Sequence, residues 1–443
     1  MNDRTEVGST RPYWWIDGPP RDQENRSLPQ SVDVAIVGAG YAGLSAAITL
    51  ARAGRSVAAI DKGVPGEGAS TRNGGITSGN IRLSHRQLTR RFGRERADAL
   101  QLEAKAARED LYRFIADENI DCDFRLAGRF AGALSQSQYD ELAREAEHLR
   151  RNLGIEAYAV PLAETRTHVG TDFYHGGSVR MDVGGIHPAK LHAGMLRLAE
   201  AAGAVVVGGT AITGVSGSEG AFTVATDKGS IAARQVIIAT NGYLDGLEPW
   251  LQRRIVPVRS RIIVTEPLPP GMMDRLLPTR MMVSDKRRLT YYYRSTPDGQ
   301  RLLFGGRDGT FEGDPVWPTE HLQQEMVGIF PELRDVGLSH SWFGYVAMNR
   351  DMLPRVFQRH GVHYATGCCG SGIVWLRWAG QKVAEKILGA PSRSALDFRP
   401  PRSIPLFKGK AWFMPAVFTI MKIQDRISMA DGVAGRGGRR LTP

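Results

Sequence analysis

The feature that most constrains this 443-residue chain is Gly38-Ala39-Gly40-Tyr41-Ala42-Gly43, set between an apolar run, Val32 to Val37, and an Ala/Leu-rich stretch, Leu44 to Ala53. The first run reads as a buried strand, the second as a helix, and Ser56 to Ile60 as another strand. Such a strand–turn–helix needs Gly38 for the tight turn. It needs Gly40 so that backbone can approach a pyrophosphate, and Gly43 so that the helix can close on the strand. The free N–H groups and dipole of the helix end then hold phosphates. Asp61 ends the second strand, 23 residues after Gly38, where it can accept hydrogen bonds from a ribose. A doubly wound sheet binding a dinucleotide follows. This also explains the most hydrophobic window of the chain without a membrane span, since glycines, Asp33 and Arg52 interrupt it.

The fingerprint does not choose between a nicotinamide and a flavin. The segment after the second strand does: Gly66-Glu-Gly-Ala-Ser70-Thr71-Arg72-Asn73-Gly74-Gly75 is a glycine-rich loop where a nicotinamide domain usually continues into a helix. It suits a second wrap around a bulkier ligand. Two further glycine-rich strand ends follow, Ile237-Ile-Ala239-Thr240-Asn241-Gly242 and Gly367-Cys-Cys-Gly370-Ser371-Gly372-Ile373. The latter opens a helix up to Leu388, whose N-terminus would stabilise negative charge on a reduced ring.

Residues 86–118 and 138–153 read as helices, the latter with Leu142, Ala146, Leu149 and Leu153 on one stripe. His187 caps a helix that begins at Pro188. Val256 to Thr265, Leu289 to Arg294 and Leu302 to Phe304 alternate as strands, with a turn at Ser295-Thr-Pro-Asp-Gly-Gln300. The expected organisation is α/β. A discontinuous Rossmann-like cofactor domain takes residues 31–90, 176–255 and 340–390. An inserted antiparallel substrate sheet takes 91–175 and 256–339. An irregular N-terminal arm, 1–30, is anchored on the surface by Trp14 and Trp15, and a tail, 391–443, frays from Gly432.

Lys plus Arg number 57 against 46 Asp plus Glu, a net charge of +11. The basic residues are spread out, without the aromatic-interleaved patch of nucleic-acid binders, so an acidic substrate or simple solubility accounts for them. Three cysteines, Cys122, Cys368 and Cys369, make neither a disulfide framework nor zinc spacing, which fits the cytoplasm. The polar Met1 to Thr10 lacks a signal-peptide core, and apolar Ala411 to Met421 is too short to span a bilayer. The sequence is silent on oligomeric state.

In this order the pieces resemble the FAD-dependent D-amino-acid-oxidase superfamily, glycine/sarcosine oxidase type, over about residues 31–389. The Arg72-Asn73-Gly74-Gly75 loop, Tyr13-Trp14-Trp15, and the tail Pro405 to Pro415 with Asp425 are similar to its gamma-glutamylputrescine oxidoreductase-like branch. The resemblance implies that Gly38, Gly40, Gly43 and Asp61 hold the ADP half, with Tyr41, Ala42 and Lys62 beside them. Ser70, Arg72, Asn73, Gly74 and Gly75 would follow pyrophosphate, ribityl chain and ring. Ile212 would pack near adenine, Ala239, Thr240 and Gly242 at the strand end, and Gly370, Ser371, Gly372 and Ile373 under the isoalloxazine. No cysteine stands near Phe343, where the sarcosine-oxidase type attaches flavin covalently, so noncovalent FAD is expected. Cys368 and Cys369 are read as packing residues. Thr71 departs from the glycine commoner in this branch.

The implied reaction is oxidation of a primary or secondary amine or amino acid by hydride transfer to flavin N5, with oxygen or another carrier as electron acceptor. The imine product hydrolyses to an aldehyde or oxo acid. Candidate catalytic residues are Tyr293 and Arg294 on the inserted sheet, Arg307, and Trp342 and Asn349 ahead of the last glycine loop. An arginine among Arg259, Arg294, Arg307 and Arg350 would pair with a substrate carboxylate. Tyr345 would wall the site, and His85 is a candidate base. Two alternatives stay open: a non-amine substrate such as a hydroxy acid, and a non-catalytic flavoprotein subunit of a dehydrogenase complex. A protein using a nicotinamide alone would be colourless.

Overall fold

The computed structural model describes residues 7–23, 26–244, 246–309, 313–390 and 394–437, the last seven as backbone alone. Two sheets organise the chain. One has a five-stranded parallel heart, in the order Val362–Thr366, Gly229–Ile238, Ser31–Val37, Val57–Ile60 and Val205–Val207, with Arg355–Arg359 antiparallel at one edge. Its central strands are apolar almost throughout because both faces are covered. Helix Tyr41–Arg52 lies on one face, wedged between helices Pro188–Ala201 and Gly372–Ile387. Close approach to the second is possible because Gly380 has no side chain: a Cβ there would overlap the Ala42 carbonyl.

The second sheet has nine strands, in the order Val7–Ser9, Leu338–Asn349, Ile255–Thr265, Leu302–Gly309, Tyr292–Ser295, Met282–Asp285, Arg129–Gly132, Gly177–Arg180 and Ala157–Val160. Most neighbours are antiparallel, but the first pair and the Met282–Asp285/Arg129–Gly132 pair run parallel. Gly177–Arg180 and most of Leu338–Asn349 fall within the 176–255 and 340–390 stretches, yet they pair in this sheet rather than in the parallel one. The chain therefore crosses between sheets more often than composition suggests. Long strands such as Leu338–Asn349 carry one layer into the other.

Three local readings change. The N-terminal arm is not wholly irregular: Val7–Ser9 extends the nine-stranded sheet, and Trp14 anchors the arm by being wholly buried. Helices His85–Phe92 and Arg94–Asp117 are divided at Gly93, whose φ of +84° favours glycine. The tail forms helix Met414–Gly437, so residues 432–437 continue a helix, while 438–443 lie outside the described residues. Asp425 of that helix is buried and accepts the backbone N–H groups of Arg288 and Leu289, which ties the tail to the nine-stranded sheet.

Candidate functional site

The glycine turn is built as its residues dictate. Gly38 has φ +99° and donates its N–H to the Ile60 carbonyl at 2.7 Å. Asp61 accepts from Ala39 N at 2.9 Å and Gly63 N at 3.3 Å. Burial raises its carboxyl pKa, and these two bonds oppose the rise. Gly43 lets the helix seat on the strand, because a Cβ there would overlap the Gly38 carbonyl oxygen. His192 supports the turn from beneath, its Nε2 2.8 Å from the Ala39 carbonyl oxygen. Burial drives its pKa down to about 4, so the ring is neutral and donates from Nε2.

The second loop docks on the first. Ser70 Oγ accepts from Tyr41 N at 3.1 Å, and a Cβ on Gly40 would come within 2.8 Å of that oxygen. The N-terminal tryptophans brace this loop from outside. Trp14 Nε1 donates to the Asn73 carbonyl at 2.8 Å, and Trp15 Nε1 donates to Thr71 Oγ1 at 2.9 Å. Trp342 Nε1 donates to the Arg72 carbonyl at 2.9 Å. Two indoles thus hold the backbone carbonyls of Arg72 and Asn73, and the third holds the Thr71 hydroxyl, which gives a threonine at position 71 a partner.

Both loops open onto one continuous cavity of about 1530 Å³. That exceeds the ~300–1,000 Å³ of a drug-sized pocket and leaves room for a dinucleotide with a second ligand. Of the expected cofactor residues, Gly38, Gly40, Tyr41, Ala42, Asp61, Lys62, Ser70, Arg72, Asn73, Gly74, Ile212, Ala239, Thr240, Gly370, Ser371, Gly372 and Ile373 line it. Gly43, Gly75 and Gly242 do not; each lies where a Cβ would press on backbone or a neighbouring side chain, at Gly38, Ile186 and Tyr345/Ala347 respectively. Ser371 stands just before the helix Gly372–Ile387, and its Oγ, which makes no capping bond to that helix, lies 3.0 Å from Ser78 Oγ.

The expected catalytic residues fare differently, since only Arg307 lines the cavity. Tyr293 is wholly buried on the far side of its strand, between Phe304 and Phe330, with its hydroxyl 3.0 Å from that of Tyr174. Tyr292, one residue earlier, faces the cavity over Gly74. Successive residues of the strand point to opposite faces, and the face that meets the cavity is that of Tyr292. Arg294 is buried and donates to the carbonyls of Gly75 and Ile186, a brace for the loop. Trp342 is the loop support described above. Asn349 Nδ2 donates to Leu353 O at 2.6 Å and closes a turn. Arg259, wholly buried, stacks on Phe343 at 3.8 Å and pairs with Asp308 and Asp314, and Arg350 is exposed. Tyr345 does line the cavity; His85 does too, with Nε2 2.6 Å from Asp98. His187 caps its helix by accepting from Lys190 N.

The structure adds residues that pattern reading missed. Arg82 is one, and it converges with the expected Arg307 at the last glycine loop: Nη1 of the former and Nη2 of the latter come within 3.6 Å and 2.7 Å of where a Cβ on Gly370 would stand. Neither has an ion pair among the described residues. Crowding by protein, then the Arg307 charge, lower the Arg82 pKa to about 10. Arg108, Arg129 and Arg180 form a second cluster on the same cavity. Asp182 serves two of them, 2.5 Å from Arg108 and 2.7 Å from Arg180. Burial pushes that carboxyl up, but the bonds and charges of Arg180 and Arg108 outweigh it and hold it at about 2. None of these residues sits in a local motif; folding alone brings them together. Cys368 and Cys369 are buried, free and cavity-lining, with the Cys369 thiol pushed up to about 12 chiefly by burial. A thiol so protonated is a poor nucleophile.

A dinucleotide-binding parallel sheet joined to a second sheet that roofs the same cavity defines an oxidoreductase of the two-layer flavoprotein class. Comparison with known proteins makes this specific: residues 33–386 match the DAO family, FAD dependent oxidoreductase, and the chain belongs to that family. It is 34% identical over 396 residues to "Probable oxidoreductase OrdL" of Rhizobium meliloti (strain 1021), covering 88% of this chain and 90% of the relative. It is 31% identical over 376 residues to gamma-glutamylputrescine oxidoreductase of Escherichia coli (strain K12), covering 84% and 87%. Among solved structures, glycine oxidase from Geobacillus kaustophilus superposes with a TM-score of 0.71 at 22% identity, over 85% of this chain and all of that one. The fold class and family expected from the sequence are both confirmed.

Proposed function

We propose that this protein oxidises the carbon–nitrogen bond of an amine or amino acid bearing an acidic group, with noncovalently held FAD. The observation that carries the proposal is the pair Arg82 and Arg307, unpaired among the described residues, at the glycine loop Gly370–Gly372 of a cavity continuous with the dinucleotide turn. Two facing cations with no counter-ion favour an anion between them, and the planar fork of arginine suits a carboxylate.

The lining fits FAD: the positive-φ turn at Gly38, the cradle at Gly40 and the small residues Gly370 to Gly372 leave backbone open to a long ligand. Gly38 to Ala42 and Asp61 would hold its ADP half, and Ser70 to Gly74 with Gly370 to Ile373 its ring half. Bound there, FAD supplies the two-electron acceptor for a hydride from the carbon bearing nitrogen. Arg82 and Arg307 orient the substrate by its carboxylate, and Tyr292 and Tyr345 shape the wall. As the C–H bond breaks, the nitrogen lone pair closes the C=N bond. Water then hydrolyses the imine to a carbonyl compound and a free amine.

An amine needs no base beyond its own deprotonation, whereas a hydroxy acid needs one within reach of its O–H. The two histidines lining the cavity, His85 and His148, are already bonded to Asp98 and Gln101, at 2.6 and 2.7 Å. The amine reading requires neither of them as a base. The relatives whose names state a substrate, gamma-glutamylputrescine oxidoreductase and glycine oxidase, point the same way. The free, buried cysteines support a cytoplasmic location. The test is the absorbance spectrum of the purified protein, then acid precipitation, then anaerobic mixing with an amine and amino-acid panel. Flavin bands, colour released to the supernatant, and bleaching by an acidic amine are expected. Bleaching only by hydroxy acids, or by nothing, overturns the proposal; colour kept in the pellet overturns its noncovalent part.

A further inference from the structure

The nine-stranded sheet presents one face to the cavity, and its register can be followed residue by residue. Gly305 pairs with Tyr292, Tyr292 with Ser284, and Ser284 with Ala131. These positions share one face, because directly opposed residues of neighbouring strands point the same way, as do residues two apart on one strand. Arg307 lies two residues beyond Gly305 on that face. Arg129 lies two residues before Ala131, opposite Arg180 of the next strand. The strands of Arg307 and Arg129 run in the same direction, three strands apart, so the two arginines are displaced oppositely along them. With strands ~4.8 Å apart and ~3.3 Å per residue, their backbones stand roughly 19 Å apart across the cavity. Tyr292 and Ser284 line the stretch between them.

Arg129 lines the cavity but makes no ion pair among the described residues, and its Nε is shut off from solvent without a hydrogen-bond partner. Its charged neighbours are accounted for. Asp182 is bonded to Arg180 and Arg108, and Glu141 and Glu145 face Lys286 at 3.5 and 3.8 Å. Arg180 spends its remaining arm on Asn80 Oδ1 at 3.2 Å. A half-buried guanidinium with an unbonded, water-excluded Nε costs free energy unless something pairs with it. This one faces a cavity wide enough for a ligand.

We infer that Arg129 is a second anion site, and that the substrate is an elongated amine with two acidic groups, one at Arg82 and Arg307 and the other at Arg129. This rests on the amine reading for the identity of the reacting group, not for the existence of the second site. A mono-acidic amine would leave Arg129 uncompensated and bind more weakly. Arg129 is then a specificity-determining residue, remote from the bond that breaks.

The test uses the FAD-loaded protein and unreactive probes: α,ω-dicarboxylates from glutarate to sebacate, with the monocarboxylate of each length. Binding is read by the shift of the flavin absorption band and, independently, by calorimetry. Dicarboxylates are expected to bind at least tenfold tighter than their monocarboxylate partners at an optimum length. Arg129→Gln removes that advantage, leaves monocarboxylate affinity within twofold, and leaves FAD content unchanged. Arg129→Lys retains part of it, which separates lost charge from lost folding. Equal affinity of the two series in the unaltered protein overturns the inference. So does an Arg129→Gln protein that loses both series alike, or that loses FAD. A length-dependent dicarboxylate preference without reduction by any amine refutes the amine reading while leaving the second site standing. Oxidation of amines with no such preference does the reverse.

Discussion

Replacing Gly43 by alanine isolates how the helix Tyr41–Arg52 is held against its strand. The new Cβ would overlap the Gly38 carbonyl oxygen and lie 3.0 Å from its carbon. Ordinary carbon contacts are ~3.5–4.0 Å, so the helix must retreat by at least half an ångström from the carbon, and further from the oxygen. Overpacking of this kind costs about 1–3 kcal/mol. The same retreat moves the helix N-terminus away from a pyrophosphate seated at Gly38 to Ala42, stretching charge-assisted bonds worth roughly 1.5–3 kcal/mol each. Loss of one such bond weakens FAD binding by roughly 10- to 150-fold. The assay is titration of apoprotein with FAD by fluorescence quenching, beside melting curves with and without FAD. Gly43 does not line the cavity, so weaker binding reports helix position and not a lost contact. An unchanged FAD affinity in a normally folded Gly43→Ala protein would refute the reasoning.

Four other outcomes follow from the geometry. Arg307→Gln leaves the apoprotein melting temperature level or higher, since it relieves repulsion with Arg82, and weakens a carboxylate ligand by about tenfold or more, read by flavin difference spectra. Tyr293→Phe costs about 1 kcal/mol by breaking the bond to Tyr174 and leaves steady-state KM unchanged, whereas Tyr292→Phe alters it. Trp14→Phe removes the bond to Asn73 and lowers stability by about 1 kcal/mol, with faster FAD release in stopped-flow dilution. His192 is neutral in the fold, with its pKa near 4 against 6.5 unfolded; the unfolded chain then binds more protons between these values. Stability therefore falls as pH drops from about 6.5 towards 4, by roughly 3 kcal/mol in all from this residue, and urea midpoints measured across that range should flatten in His192→Gln.

The glycine turn was legible because its constraints are local: a positive φ at Gly38 and a missing Cβ at Gly40 and Gly43 are properties of neighbouring residues. Seventeen of the twenty cofactor positions expected from motif and resemblance line the cavity. The catalytic positions were not legible in the same way. Strand periodicity separates Tyr292 from Tyr293 but does not say which face meets the cofactor, because that depends on which sheet lies opposite. Trp342 looks like a site residue in a linear reading, yet it acts from behind the loop, donating to the Arg72 carbonyl as Trp14 donates to that of Asn73. Arg294 likewise holds Gly75 and Ile186.

By itself, then, the sequence determined the parallel sheet, its glycine turns and the dinucleotide chemistry, since those follow from short-range sterics and hydrogen bonding. Only the tertiary structure decided where charge collects. Arg82, Arg129 and Arg307 come from three distant segments, and the cavity that gathers them arises from sheet register and layer packing. A guanidinium's role depends on whether a carboxylate folds back to meet it, as at Arg259 and Arg180, or leaves it facing open space, as at Arg82, Arg129 and Arg307. That balance is set by distances between residues far apart in the chain, which no local pattern encodes.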